Sequence, residues 1–222
     1  MEEVKIIYED DNLMVLDKPA GMVTTNENTK HKTQNSKQMS LEDWIETNRP
    51  NNLSRKGIVH RLDKGTSGIV IVAKTEESLI ELKKQFKTRK VKKHYLAMVG
   101  GDLPAVGSVN MPIDRSKYSF GRFKVDEEGK NAETEFKVIK KYKIEGRAYS
   151  LVDISLKTGR THQIRVHMSY LGWPLLGDKL YGGQALLDRP FLHAYEIEIL
   201  GMKFNSPLAG DLQLLLKKYE EN

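Results

Sequence analysis

Cysteine is absent from the chain, which excludes disulfides, thiolate nucleophiles and every cysteine-based zinc or iron–sulfur site. No apolar run approaches the ~20 residues needed to span a bilayer. The acidic start, Met1-Glu2-Glu3-Val4, opens into strand-like sequence rather than a signal peptide. A soluble, cytoplasmic protein with no membrane partner is expected. Nucleotide-loop signatures are missing too. Asp63-Lys64-Gly65-Thr66-Ser67-Gly68 holds the residue types of a phosphate loop but not the order G-x-x-x-x-G-K-[ST], and no G-x-G-x-x-G follows a strand. His162 and His167 are five apart and lack the H-E-x-x-H spacing, and the six histidines form no ligand cluster. Neither a metal nor a cofactor is expected.

What is present fits one globular domain over residues 1–222. The hydrophobic fraction of 39% suffices for a core, the charged fraction is 30%, and the mean hydropathy is −0.53. The net charge of +6 with a pI near 9.2 points to a polyanionic partner. Monomer is the default state.

Along the chain, Val4–Tyr8 and Leu13–Leu16 read as strands around the turn-like Glu9-Asp10-Asp11-Asn12, and Pro19-Ala20-Gly21 ends the second. Residues 24–38 are polar and nearly free of apolar side chains, and are expected to form a flexible surface loop. Ser40 is a good N-cap for a short helix. Gly68–Ala73 is a β-branched run suited to a strand buried on both faces. Thr75 caps a second helix with Leu79, Leu82 and Phe86 at helical spacing, which runs into Lys83–Lys93, a stretch with seven Lys or Arg and no acid. Tyr95–Val99, Glu133–Tyr142, Tyr149–Leu156 and Phe191–Ile199 read as extended. Thr161–Leu171 switches to helical period, with Thr161 as its N-cap and Gly172 as its stop. The expected fold class is α+β, a mixed, largely antiparallel central sheet with flanking helices.

Three segments have the residue types for chemistry. His60-Arg61-Leu62-Asp63 puts a short acid in a loop ahead of a buried strand, where catalytic groups are often held. Lys157-Thr158-Gly159-Arg160-Thr161-His162-Gln163-Ile164-Arg165 sets two arginines around a helix start, where amides and dipole favour an anion such as phosphate. Lys92-Lys93-His94-Tyr95 adds a basic run with one aromatic ring, which suits phosphates and a stacked base.

In their order these segments resemble the RluA-type RNA pseudouridine synthases. The flanks do so as well: Asp17-Lys18-Pro19-Ala20-Gly21, Leu176-Gly177-Asp178 with Tyr181-Gly182, and Leu192-His193-Ala194. The resemblance implies a catalytic domain of the pseudouridine synthase fold. That domain would isomerise uridines in ribosomal or transfer RNA by base flipping, without metal or cofactor. It implies Asp63 as the catalytic carboxylate, Tyr95 as the ring that packs on the target base, and Arg165 as the arginine that pairs with the aspartate. Arg61 matches a residue that fills the space left by a flipped base. Lys83, Lys87, Lys90, Lys93, Arg160 and His162 are the expected RNA-binding side chains. No small RNA-binding domain fits ahead of Val4, so binding is expected to rest on the catalytic domain, with residues 24–38 and Ser116–Lys130 deciding substrate choice.

Cleavage of the C1′–N1 bond builds positive character at C1′, which an ionised carboxylate stabilises or attacks. A buried carboxylate needs a cationic partner. A non-catalytic RNA-binding or ribosome-assembly protein on the same fold is the alternative. A glycosidase or nucleosidase fits less well, because no second carboxylate stands out.

Overall fold

The computed structural model describes residues 3–26, 39–119 and 121–220. In chain order they form β1 (Lys5–Glu9), β2 (Leu13–Lys18), α1 (Leu41–Asn48), β3 (Ser67–Ala73), α2 (Glu76–Lys87), β4 (Lys92–Gly100), β5 (Val106–Asn110), β6 (Ile113–Arg115) and β7 (Phe123–Val125). There follow β8 (Glu133–Ile144), β9 (Arg147–Leu156), α3 (Gln163–Tyr170), β10 (Leu192–Ile199), β11 (Met202–Asn205) and α4 (Gly210–Glu220). The expected α+β class, with a largely antiparallel sheet and flanking helices, is what the chain adopts. It divides into two compact units, residues 1–91 with 196–207, and residues 92–195 with 208–222.

In the first unit β2 pairs antiparallel with β1 on one side and with β3 on the other, in register from Leu13 opposite Ala73 to Lys18 opposite Gly68. All seven residues of β3 are buried, as its β-branched run predicts. The end of β10 turns back on β11, with Glu196 opposite Asn205. Leu79 and Leu82 of α2 are buried against Val15, Ile69, Ile71 and Ile197. Both helices of this unit start with a capping box. Ser40 and Thr75 each accept the amide three residues on, while Asp43 and Ser78 reach back to the cap amide.

The second unit is built on the antiparallel order β4-β9-β8-β5. Val152, Ile154 and Leu156 of β9 point into the interior while Asp153 and Ser155 are half-buried, which is the alternation of a strand with one wetter face. Met98, Tyr142, Leu151, Phe191 and α4's Leu212 and Leu215 form one core. A smaller cluster of Ile113, Ala132, Val166 and Tyr181 lies beneath the β6–β7 hairpin.

The helix expected over Thr161–Leu171 runs only from Gln163 to Tyr170, and its N-cap is His162, not Thr161. The Gln163 amide donates to the Arg160 carbonyl at 3.1 Å, a tight turn that holds His162 in the left-handed region at φ 55°. A left-handed residue breaks the helical path, so the helix cannot begin before it. Of the polar loop expected over 24–38, Thr24 and Thr25 prove buried, and residues 27–38 lie outside the described residues.

Candidate functional site

In the first unit Asp63 lies on the loop that leads into β3, and that loop is fastened on both sides of it. The hydroxyl of buried Thr24 donates to the Leu62 carbonyl at 2.8 Å and accepts the Leu62 amide at 3.1 Å. The Gly21 amide donates to the Lys64 carbonyl at 2.7 Å, and the Asp63 carbonyl accepts from Thr66 at 3.0 Å. Gly21 belongs to a turn stiffened by Lys18, whose fully buried ammonium donates to the carbonyls of Pro19 and Met22, each at 2.8 Å. Asp63 is therefore half-buried on a rigid main chain, while Arg61 is exposed.

His60 has a different task from its neighbours. Its Nε2 accepts the Ile71 amide of β3 at 3.0 Å, and its ring stacks on Phe86 of α2 with centroids 4.8 Å apart. An acceptor Nε2 is an unprotonated one. His60 thus ties the Asp63 loop to β3 and to the helix whose exposed side carries Lys83 and Lys87, with exposed Lys90 just beyond its end.

In the second unit Lys93 and Tyr95 alternate onto one face of β4. Tyr95 is buried, opposite Ile154 of β9. The Lys93 ammonium reaches the Thr158 carbonyl at 3.4 Å, so the basic run meets the Lys157–Arg165 segment as a built contact. Burial pushes the Lys93 ammonium down to about 8.

That segment is held by Gln163, which is 2% exposed. Its Oε1 accepts from the Thr158 hydroxyl at 2.8 Å and the Arg160 amide at 2.9 Å, and its Nε2 donates to the Glu133 carbonyl and to Thr134 Oγ1. Thr134 in turn faces His167 Nδ1 at 2.8 Å, and His167 Nε2 faces the Met111 carbonyl at 2.9 Å. A carbonyl only accepts, so Nε2 carries the proton and Nδ1 accepts from Thr134. The network is directed throughout and requires a neutral His167. Burial accordingly lowers the His167 pKa, against a smaller opposing pull from the Met111 carbonyl. Arg160's own amide is thereby used by Gln163, and its Nε donates to the Asn131 carbonyl at 3.0 Å.

Arg165 is buried, at 9% exposure. Its Nε and Nη2 donate to the two oxygens of Asp178 at 2.7 and 2.8 Å, and its guanidinium lies over the Tyr181 ring, 4.9 Å from the centroid. Asp178 is 1% exposed. It sits in a crossing that only small residues permit. A Cβ on Gly177 (φ +80°) would lie 2.0 Å from the Arg189 carbonyl oxygen, and one on Gly183 would lie 1.8 Å from that of Leu175. The Tyr181 hydroxyl accepts the Phe123 amide and meets His162 Nδ1, each at 2.9 Å, so His162's left-handed backbone places its ring on this tyrosine. Arg122 lies over the same Tyr181 ring at 5.4 Å. Arg122, Phe123, Tyr170 and Tyr181 help to line an open pocket of about 330 Å³.

Neither Asp178 nor Gln163 stands out in the sequence as more than part of a motif. Only the tight glycines flanking Asp178 signal that a buried group is placed there. Among the described residues no group of three or more His, Asp or Glu side chains is placed to hold a metal, and no helix is long and apolar enough to cross a membrane.

A family described as RNA pseudouridylate synthase matches residues 12–170. The chain is 38% identical over 232 residues to ribosomal large subunit pseudouridine synthase D of Nitrosomonas europaea, covering 96% of this chain and 64% of that protein. It is 37% identical to the protein of the same description from Pseudomonas aeruginosa, covering 96% and 71%. The chain thus spans just under two thirds of the length of the first relative. Among solved structures, human RNA pseudouridylate synthase domain containing 1 superposes with a TM-score of 0.77 at 23% identity, covering 100% of this chain and 96% of that one, a likeness of fold.

Proposed function

The chain belongs to the RNA pseudouridylate synthase family, and from that premise we propose that it isomerises uridine to pseudouridine in ribosomal or transfer RNA. The family match runs from the first compact unit into the second, which supports reading the chain as one catalytic domain. The relatives named above are described as acting on the large ribosomal subunit, which favours ribosomal RNA as the substrate.

The observation that carries the reading is the seat of Asp63. A half-buried carboxylate stands on a loop whose neighbouring residues are fastened by Thr24 and Gly21, and preorganised placement of this kind is what a reacting group requires. In this reading the C1′–N1 bond breaks with Asp63 answering the positive character at C1′. The uracil turns, C5 bonds to C1′, the C5 proton leaves to solvent and N1 takes up a proton. Tyr95 receives the unstacked base on its ring, a contact worth roughly 1–3 kcal/mol. Arg165 supplies fixed positive charge, and Arg61 fills the space the base leaves. Lys83, Lys87, Lys90, Lys93, Arg160 and His162 hold the RNA, the last two from a turn that Gln163 and Tyr181 keep rigid.

The test follows tritium release from RNA labelled at uracil C5, without added metal or cofactor. Wild type is expected to release it and Asp63→Asn to release none, with RNA affinity unchanged within about threefold. Release by Asp63→Asn at the wild-type rate would remove Asp63 from the chemistry.

A further inference from the structure

We propose that the open pocket between the β6–β7 hairpin and α3 is a second nucleotide site, which takes one unpaired nucleotide of the bound RNA other than the uridine that reacts. The proposal rests on the RNA-binding reading above but on no assignment of catalytic groups. The walls of the pocket are well fixed. The Ile113 amide donates to the Lys130 carbonyl at 3.0 Å, the Lys130 amide to the Ile113 carbonyl at 2.9 Å, and the Ser116 amide to the Arg122 carbonyl at 2.8 Å. A Cβ on Gly129 would lie 2.7 Å from the Ile113 carbonyl oxygen, so the base of the hairpin admits no side chain there. Phe123 and Val125 pack against Val166 and the buried Tyr181. At about 330 Å³ the pocket falls at the small end of the range of ligand sites, with room for one nucleotide rather than a length of chain.

The lining has the chemistry of a nucleotide. Two of the side chains that line it are cations and none is an acid. Lys124 is paired with Asp126. Arg122 is exposed, its guanidinium lies over the Tyr181 ring at 5.4 Å, and among the described residues no carboxylate pairs with it. A guanidinium laid on a ring face keeps its in-plane donors for a phosphate. Tyr170, at the end of α3, presents a ring that is 55% exposed, on which any base can stack. Single-stranded RNA is read in this way, with splayed bases on aromatic rings and phosphates on cations. Arg165 lies over the same Tyr181 ring as Arg122, so the two guanidiniums serve neighbouring stretches of one RNA strand.

The experiment uses the full chain with tiled transcripts of large-subunit ribosomal RNA and with transfer RNA. The transcript bound tightest at fixed salt is then prepared with single nucleosides missing at random. Positions depleted from the bound fraction are read for wild type, Tyr170→Ala, Tyr170→Phe and Arg122→Gln, each checked for folding by its melting temperature. AMP, GMP, CMP and UMP are added separately as competitors.

Tyr170→Ala is expected to weaken binding of the intact transcript at least about fivefold, and Tyr170→Phe, which keeps the ring, by less than about twofold. One unpaired position should cost wild type at least about fivefold when its base is missing but cost Tyr170→Ala less than about twofold, the signature of two groups in contact. Arg122→Gln should flatten the slope of log affinity against log salt by about 0.7. Wild-type affinity in folded Tyr170→Ala, or a variant that loses as much as wild type at every position, would overturn the proposal. If Tyr170→Ala fails to fold, Ser119→Glu decides in its place: it sets an acid in the pocket from an exposed position and should abolish the same positional effect. A wild type that binds none of the transcripts overturns the proposal as well. So does a free monophosphate that binds through Tyr170 and Arg122 without displacing RNA, since the site would then serve a small molecule. A wild type that binds RNA but releases no tritium refutes the catalytic reading alone, and the missing-nucleoside pattern still decides the pocket.

Discussion

At the scale of single residues, Lys93 shows how a fold changes what a side chain does. Its neighbours in the basic stretch, from Lys83 to Lys92, are mostly exposed, while burial brings Lys93 to a pKa of about 8 beside the Thr158 carbonyl. Since its folded pKa lies below the unfolded value, its charge costs stability at neutral pH, and that cost fades as pH rises from about 8 towards about 10.5. An RNA phosphate at this position would stabilise the ammonium, so binding takes up a proton. RNA affinity is therefore expected to fall by up to about tenfold between pH 7 and pH 9 at constant ionic strength, and Lys93→Arg, which stays charged, should flatten that fall. Titrations by fluorescence anisotropy at several pH values measure it. A variant with the wild-type pH profile would exclude Lys93 from the phosphate contacts. The sequence marks Lys93 as a cation but not as a half-buried one, because a lysine run looks the same whether it lies on a helix surface or enters a strand. Asp178 and Gln163 were illegible for a related reason: their partners, Arg165 and Glu133, lie 13 and 30 residues away, and no local pattern announces such pairs.

At the scale of elements, strong local signals were read well. Ser40 and Thr75 cap their helices as expected, and Gly68–Ala73 forms the core of a fully buried strand. The short pieces β5, β6, β7 and β11 escaped, being three to five residues with at most one buried position each. So did α4, which is held by packing on the second unit's core. At α3 the local signal misled. Thr161 has the chemistry of a cap, but the Gln163 side chain and the left-handed His162 fix the helix start by tertiary contacts instead. The network through Gln163, Thr134 and His167 leads to a prediction for this helix. His167's folded pKa is lowered, so as pH falls the unfolded chain takes up the proton first. The stability this neutral ring provides is complete above about pH 6.5 and is lost as pH falls through the folded value, at no more than about 1.4 kcal/mol per pH unit. The melting temperature of His167→Gln should therefore lie below wild type at pH 7.5 and approach it as pH drops to 5. Parallel curves over that range would show that His167 does not titrate with folding.

At the scale of the whole molecule, the order of the motifs, rather than any one of them, made the family legible. Asp63, Tyr95 and Arg165 each have a plain structural reading alone, while their succession along the chain does not. The net charge of +6 works at the same scale. Lys83, Lys87 and Lys90 are exposed, and an exposed cation contributes little to folding but releases a counterion when it meets a phosphate. Replacing all three with Gln lowers the net charge from +6 to +3 and leaves the core of α2, Leu79 and Leu82, untouched. If all three lysines contact RNA phosphates, the slope of log affinity against log salt should flatten by about 2, at roughly 0.7 per contact on a single strand. The loss should be general across RNA sequences, since phosphate contacts carry no base information. The single-turnover rate at saturating RNA should stay within about twofold of wild type, because such contacts bind ground and transition states alike. An unchanged slope would move the RNA path off α2 and leave the Lys93–Arg160 turn as the place where phosphates are held. A flattened slope with a collapsed rate would mean that the helix takes part in aligning the reacting uridine and does more than hold its backbone.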